Sequence, residues 1–170
     1  MVLDQKYRAN WTPENWSKQI EIDSSNLGYV EKIMKEHGYP GKSMVGEKTA
    51  SAAWYVIQHS DKIDVYIDEI KQAADNGELP FRLYAMMLDR HLMYNDKAQI
   101  YGTQGSSYFI GSPKEINFIW PIQNPDSVNI LRKGVFGTTV EEYGKDLFGD
   151  DFEFKNLTIE EALKIKNSVN

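Results

Sequence analysis

The stretch AQIYGTQGSS, Ala98 to Ser107, marks where this chain changes character. Upstream of it, apolar residues recur at helical spacing. From residue 97 on, KAQIYGTQ and SSYFIG, then KEINFIWPI, are rich in Ile, Tyr and Phe in partial alternation, the pattern of strands. The reading that follows is a mainly α chain with one small antiparallel β hairpin or sheet, an α+β arrangement. Gly102 and Gly105 bracket Thr103-Gln104, so the stretch itself reads as a hairpin shoulder whose backbone can approach a bound group closely.

Working back towards the N-terminus, Thr12-Pro13-Glu14 combines an N-cap, a proline at the first helical position and an early acid. Ser24-Ser25 predicts the cap of a second helix over 27–36, closed by Gly38 and Pro40. A third helix, about 47–59, holds ASAAWYVIQH, apolar on every face as in a helix enclosed by others. Ser60-Asp61 predicts the cap of a fourth, with Ile63, Ile67, Ile70 and Ala74 on one face; Asn76-Gly77 ends it. A fifth runs from Pro80 to about Tyr94 and stops at the Asn95-Asp96 turn signal. Beyond the strands, a short helix is expected over 126–132. Thr138-x-x-Glu141 and Thr158-x-x-Glu161 are capping-box patterns for two more.

The length of 170 residues suits one ordinary domain over 1–170, its helical part about 1–96 and its hairpin and C-terminal helices about 97–170. The composition, 41% hydrophobic and 26% charged, is that of a soluble globular chain. A net charge of −6 with scattered basic residues argues against nucleic acid as a partner. With no cysteine, disulfides, thiolate nucleophiles and Cys-ligated zinc are excluded. Apolar runs such as Leu83 to Leu88 fall far short of the roughly 20 residues that span a bilayer. MVLDQKYRANW lacks the basic and apolar regions of an export signal. The chain as written therefore reads as cytoplasmic, and as exported only if its N-terminus has been trimmed.

Chemistry-bearing residues concentrate at the ends of the enclosed helices. Gln58 and His59 follow Trp54–Ile57, and Asp89 lies near the core side of the fifth helix, with Arg90 pointing roughly the other way. A buried amide, imidazole or carboxylate needs partners, because an unpaired one costs about 1–3 kcal/mol. Each has a plain alternative. His37 suits the negative end of a helix dipole, Asp61 suits an N-cap, His59 can be a satisfied interior histidine, and His91 reads as packing. GTQGSS has neither the spacing nor the lysine of a phosphate-binding P-loop, and neither GxGxxG nor GxSxG occurs. The histidines at 37, 59 and 91 show no zinc spacing; a metal site assembled from His37, His59 and a distant Asp is the lesser alternative to the reading adopted, which has no metal and no cofactor.

Taken in order, EHGYPGKSMVG (36–46), AAWYVIQHSD (52–61), LDR (88–90) and QIYGTQ (99–104) resemble an uncharacterised bacterial family, domain of unknown function 6624. DQKYR at 4–8 and PI…LRKxG, Pro121 to Gly134, are similar to it as well. Tyr39 stands where that family usually has Trp, Ser60 where it has Ala, and His91 where it has an aliphatic residue. The resemblance picks out His37, Gly38, Pro40, Ser43, Gly46, Gln58, His59 and Asp61, then Asp89, Arg90, Gln99, Tyr101, Gly102, Thr103 and Gln104. It implies positions and no activity.

Together the two lines of reasoning predict that His37, Gln58, His59, Asp89, Arg90, Tyr101 and Gln104 converge on one polar pocket at the junction of the helices and the GTQ loop. As an enzyme, the chain would use His59 or His37 as general acid or base, oriented by Asp61 or Asp89. Gln58, Arg90, Tyr101, Gly102, Thr103 and Gln104 would bind a small polar substrate for hydrolysis or group transfer. Ser43 or Thr103 would then be the available nucleophile. As a binding module, it would use the same residues to recognise a small polar ligand or a protein partner. A structural network pinning the loop to the helices is the third reading.

Overall fold

The computed structural model describes Tyr7, residues 12–109 and residues 115–168. The rest of the DQKYR segment, and residues 110–114 between the two strands, lie outside the described residues. Among the described residues there are eight helices and one two-stranded antiparallel sheet, the mainly α architecture with a small β element that the sequence indicates. The chain divides into two compact units, residues 1–84 and 85–170. The division falls inside a helix rather than at the change of pattern near residue 97.

In the first unit, α1 spans Pro13–His37. Thr12 caps it as expected, its Oγ1 accepting from the Asn15 N–H at 3.1 Å, with proline at the start of the helix. The predicted break at Ser24-Ser25 does not occur. Gln19, Val30 and Met34 are the buried residues of this helix, and at 100° per residue they share one face. One continuous buried stripe therefore holds both halves in register, and the local capping preference of two exposed serines is too weak to break it. Gly38, at φ 75°, ends the helix.

One helical turn, α2 (Lys42–Val45), follows, and α3 is shorter than the sequence suggests, Ala52–Gln58. Trp54 and Ile57 are its buried anchors. The helix α4 (Ile63–Asp75) presents Ile63, Ile70, Ala73 and Ala74 to the core. Its start differs from expectation: Lys62 occupies the cap position without a side-chain bond, while Ser60 Oγ accepts the Lys62 N–H at 3.1 Å. The helix α5, Phe81–Tyr94, begins in this unit, and the larger part of it belongs to the second.

In the second unit, β1 (Gly105–Phe109) pairs antiparallel with β2 (Glu115–Ile119), Gly105 opposite Ile119 and Ser107 opposite Asn117. Alternation along β2 feeds two apolar clusters. Ile119 packs with Ile122, Val128 and Val140, whereas Phe118 and Trp120 pack with Ala162. A strand buried on both faces needs an apolar residue at successive positions, which is what NFIWPI supplies. Three helices complete the unit: α6 (Val128–Val135), α7 (Val140–Phe148) and α8 (Ile159–Asn167). The capping box at Thr158–Glu161 is present as predicted. The other sits one residue further on, at Thr139 and Glu142 rather than Thr138 and Glu141.

Candidate functional site

In the second unit, QIYGTQ is not a strand but a loop whose backbone is held by buried side chains. Asp89, fully buried on α5, accepts the N–H groups of Ile100 (2.8 Å), Tyr101 (3.1 Å) and Thr103 (3.0 Å), and the Thr103 hydroxyl (2.9 Å). From α6, Arg132 donates to the carbonyls of Tyr101 (2.8 Å) and Gly102 (3.0 Å) and to Thr138 Oγ1 (3.3 Å). The Gly102–Thr103 peptide thus presents its carbonyl to a guanidinium and its N–H to a carboxylate. It is a peptide dipole aligned between two buried charges.

Gln99 completes the loop. Its Oε1 accepts the Gln104 N–H (2.9 Å), and its Nε2 donates to the carbonyls of Gln104 (3.1 Å) and Trp120 (2.5 Å). The Tyr143 hydroxyl donates to the Thr103 carbonyl (2.8 Å), and Gln104 Nε2 donates to Met86 O (3.2 Å) and Thr103 Oγ1 (3.0 Å). Arg132 lies over the Phe136 and Tyr143 rings, 5.2 and 4.8 Å from their centres, two cation–π contacts that help to compensate a cation only 1% exposed. Arg90, half-buried next to Asp89, acts with Arg132 on the Tyr143 phenol.

Burial dominates the ionisation of this cluster. It pushes the Asp89 carboxyl above its ordinary range, against the opposing pull of the loop N–H groups. It pulls the Arg132 guanidinium down, with Tyr143 and Asp89 opposing. The Tyr101 and Tyr143 phenols are likewise raised by burial.

Gly102 is required twice over. It sits at φ 67°, and a Cβ there would lie 2.8 Å from Ile122 Cδ1 and 3.2 Å from Val140 Cγ2. Gly102→Ala is expected to lower stability by about 2–4 kcal/mol, from left-handed strain and overpacking together. Urea unfolding measures it, and a loss below about 1 kcal/mol would contradict this account of the loop.

The first unit holds His37, Gln58, His59 and Asp61. His37 is exposed in the last turn of α1, its Nε2 3.8 Å from Glu36 Oε2, where it suits the helix dipole. Gln58 is buried at the end of α3, and its Nε2 lies 3.4 Å from His59 Nε2. His59, Ser60 and Asp61 line a cleft of about 280 Å³ with Trp16, Asp23 and Leu27; His37 does not line it. Asp23 Oδ1 accepts from Gln19 Nε2 at 2.7 Å, and Asp61 lies 3.9 Å from Lys62 Nζ. Ser60 Oγ donates to the Ile57 carbonyl at 2.8 Å, and the Ser43 N–H binds Glu78 Oε2 at 2.7 Å.

Among the described residues, no three His, Asp or Glu side chains are grouped so as to hold a metal ion. Nor is any helix long and apolar enough to cross a membrane.

Arg132 and Gln99 are central to the loop; the resemblance picks out Gln99 without giving it a role, and Arg132 is not among the candidates read from the sequence. The signals were there: both fall in segments that carry the family resemblance, LRK and QIYGTQ. What the sequence lacked was a reason to prefer Arg132 over Lys133 beside it.

No curated protein and no solved structure matches this chain. Its sequence does match a family described as "Family of unknown function (DUF6624)" over residues 3–156, which takes in both the His59 segment and the clamped loop. With most of its length inside that match, the chain belongs to this family of unknown function.

Proposed function

We propose that ligand chemistry in this chain centres on His59 in the cleft that it lines in the first unit, and that the QIYGTQ loop is scaffold. The observation that carries this is the meeting of an imidazole and two carboxylates along one cleft, while the hydrogen bonds of the loop hold its own backbone. The polar groups of the loop, including Thr103 Oγ1 and the Gln104 amide, are taken up by one another and by Asp89 and Arg132. His59 lines a cleft together with Asp23 and Asp61. The Gln58 amide nitrogen, 3.4 Å from His59 Nε2, helps to set the orientation of the ring, and an imidazole can both give and take a proton. The matching chemistry is acid–base hydrolysis or group transfer on a small polar substrate, with water rather than Ser60 as nucleophile, since Ser60 Oγ is tied into the turn.

A second reading, a receptor that performs no reaction, is favoured by one feature. The Gln58 amide, 3.4 Å from His59 Nε2, is a group suited to recognising a polar ligand beside the ring.

A thermal-shift screen of polar metabolites against the full chain and His59→Ala tests both. A ligand that stabilises the wild type and loses its effect in the variant supports the cleft. Turnover of that ligand, falling about 100-fold or more in His59→Ala, supports the enzyme; binding without turnover supports the receptor. Equal stabilisation of both proteins would sink the assignment of His59.

A further inference from the structure

A second cleft, of about 330 Å³, opens in the first unit. Residues 16, 20 and 27, which line the His59 cleft, fall on one flank of the buried stripe of α1; residues 26, 29 and 33, which line this second cleft, fall on the other. Its floor is apolar and firm, with Val30, Pro40 and Ala53 all buried. Its mouth is framed by Tyr29 and Tyr55, which are 69% and 38% exposed. Among the described residues, no acid, base or histidine lines it, and the polar side groups besides the two phenols are Asn26 and Thr49.

From these features we infer that this cleft is a binding site for a small uncharged ring compound carrying one hydrogen-bonding group, the chemistry of a phenol or an indole. Three arguments converge on that class. A charged ligand would shed its hydration among these walls with no counter-charge to receive it, a penalty of several kcal/mol. The volume lies at the lower end of the roughly 300–1,000 Å³ of small-molecule pockets, which suits one or two rings and not a partner helix. The two tyrosine rings offer flat, polarisable faces at low entropic cost, while Asn26 and Thr49 can each satisfy a single polar substituent. The space itself comes from small residues: alanine at 52 and 53, where α3 borders the cleft, leaves the room that a leucine would fill.

The site stands apart from His59, and the test keeps the two separate. Amide chemical shifts of the full chain are followed by NMR during titration with p-cresol and indole, and with benzoate and benzylamine as charged counterparts. The neutral rings are expected to shift the Val30, Ala53 and Tyr55 amides saturably, with Kd on the order of 1 mM or tighter. The charged rings bind about tenfold or more weakly, because they must be desolvated without a partner. Ala52→Leu, which adds bulk at the cleft wall, weakens binding by about tenfold or more, whereas His59→Ala leaves it within about twofold.

Should Ala52→Leu disturb shifts beyond the cleft, Tyr55→Ala serves in its place, with an expected loss of about fivefold. The proposal is overturned by any of three results: no saturable shift with either neutral ring, charged rings binding equally well, or unchanged affinity in the variant used to alter the wall. A cleft covered instead by a second copy of the chain would give the first of these, together with a concentration-dependent dimer in sedimentation.

Discussion

Asp89→Asn is expected to destabilise the chain by about 3 kcal/mol or more, although it changes only one oxygen to an amide nitrogen. The carboxylate accepts three backbone N–H groups and a hydroxyl. An amide in the same place offers one acceptor and turns two further hydrogens towards donors. At least one loop N–H then stays buried and unpaired, at about 1–3 kcal/mol each, and the contacts that remain lose their charge-assisted strength. Because α5 and the loop share this one carboxylate, the loss is cooperative and not confined to a frayed segment. Denaturant unfolding monitored by Trp fluorescence reads it, and a change under about 1 kcal/mol would show that the loop holds without Asp89.

The pH dependence has a definite sign. Burial raises the Asp89 carboxyl above its ordinary 3.8, so the folded chain binds that proton more tightly than the unfolded one. The resulting contribution to stability is complete below the unfolded value and is lost as pH rises through the raised one. Just above pH 3.8 the wild type should therefore lose some stability as pH increases. The Asn variant, having no proton to bind there, should lack that component. Its deficit relative to wild type should accordingly be largest at the acid end.

Arg132→Met carries the second large effect, about 3–5 kcal/mol. Methionine fills much of the same volume between the Phe136 and Tyr143 rings but donates nothing. The Tyr101 and Gly102 carbonyls lose their buried donor, and Asp89 loses the cation that faces it across the peptide. Arg132→Lys should recover less than half of the loss, since one ammonium cannot reproduce a planar fork that serves two carbonyls and the Thr138 hydroxyl. If charge and peptide act as one unit, the double variant with Asp89→Asn will cost less than the sum of the singles, by about 1 kcal/mol or more. Strict additivity would mean that the two ends of the loop are held independently.

The sequence marks polar positions on the enclosed helices and the glycine loop, but not what those side chains hold. Asp89, Tyr101, Thr103 and Gln104 do come together, as expected of polar groups on an apolar helix and a glycine loop. Which atoms they address was hidden, because a hydrogen bond to backbone leaves no complementary side chain to find. Arg132 shows this most clearly. Its acceptors are carbonyls of Tyr101 and Gly102, about thirty positions away and present at every residue of any chain. The capping box illustrates the same gap at short range. Thr138 and Thr139 each have a glutamate three residues on, so both frames satisfy the pattern. Arg132 engages the Thr138 hydroxyl, and Asn129 Oδ1 accepts the Val140 N–H at 2.8 Å, which leaves Thr139 to cap α7.

By itself the amino-acid order determined what depends on neighbours within a few residues: helical periodicity, the Thr12-Pro13 start, the Asn76-Gly77 and Asn95-Asp96 stops, and the alternation of β2, along with a cysteine-free composition. Tertiary structure alone decided that α1 runs unbroken through Ser24-Ser25, that QIYGTQ is a clamped loop, and that His59 faces a cleft while His37 stands on an open helix end. The physical reason is one of range. Propensities and caps contribute about 1 kcal/mol each and act locally. Buried stripes and buried charges contribute several, and their partners are set only once distant segments have packed.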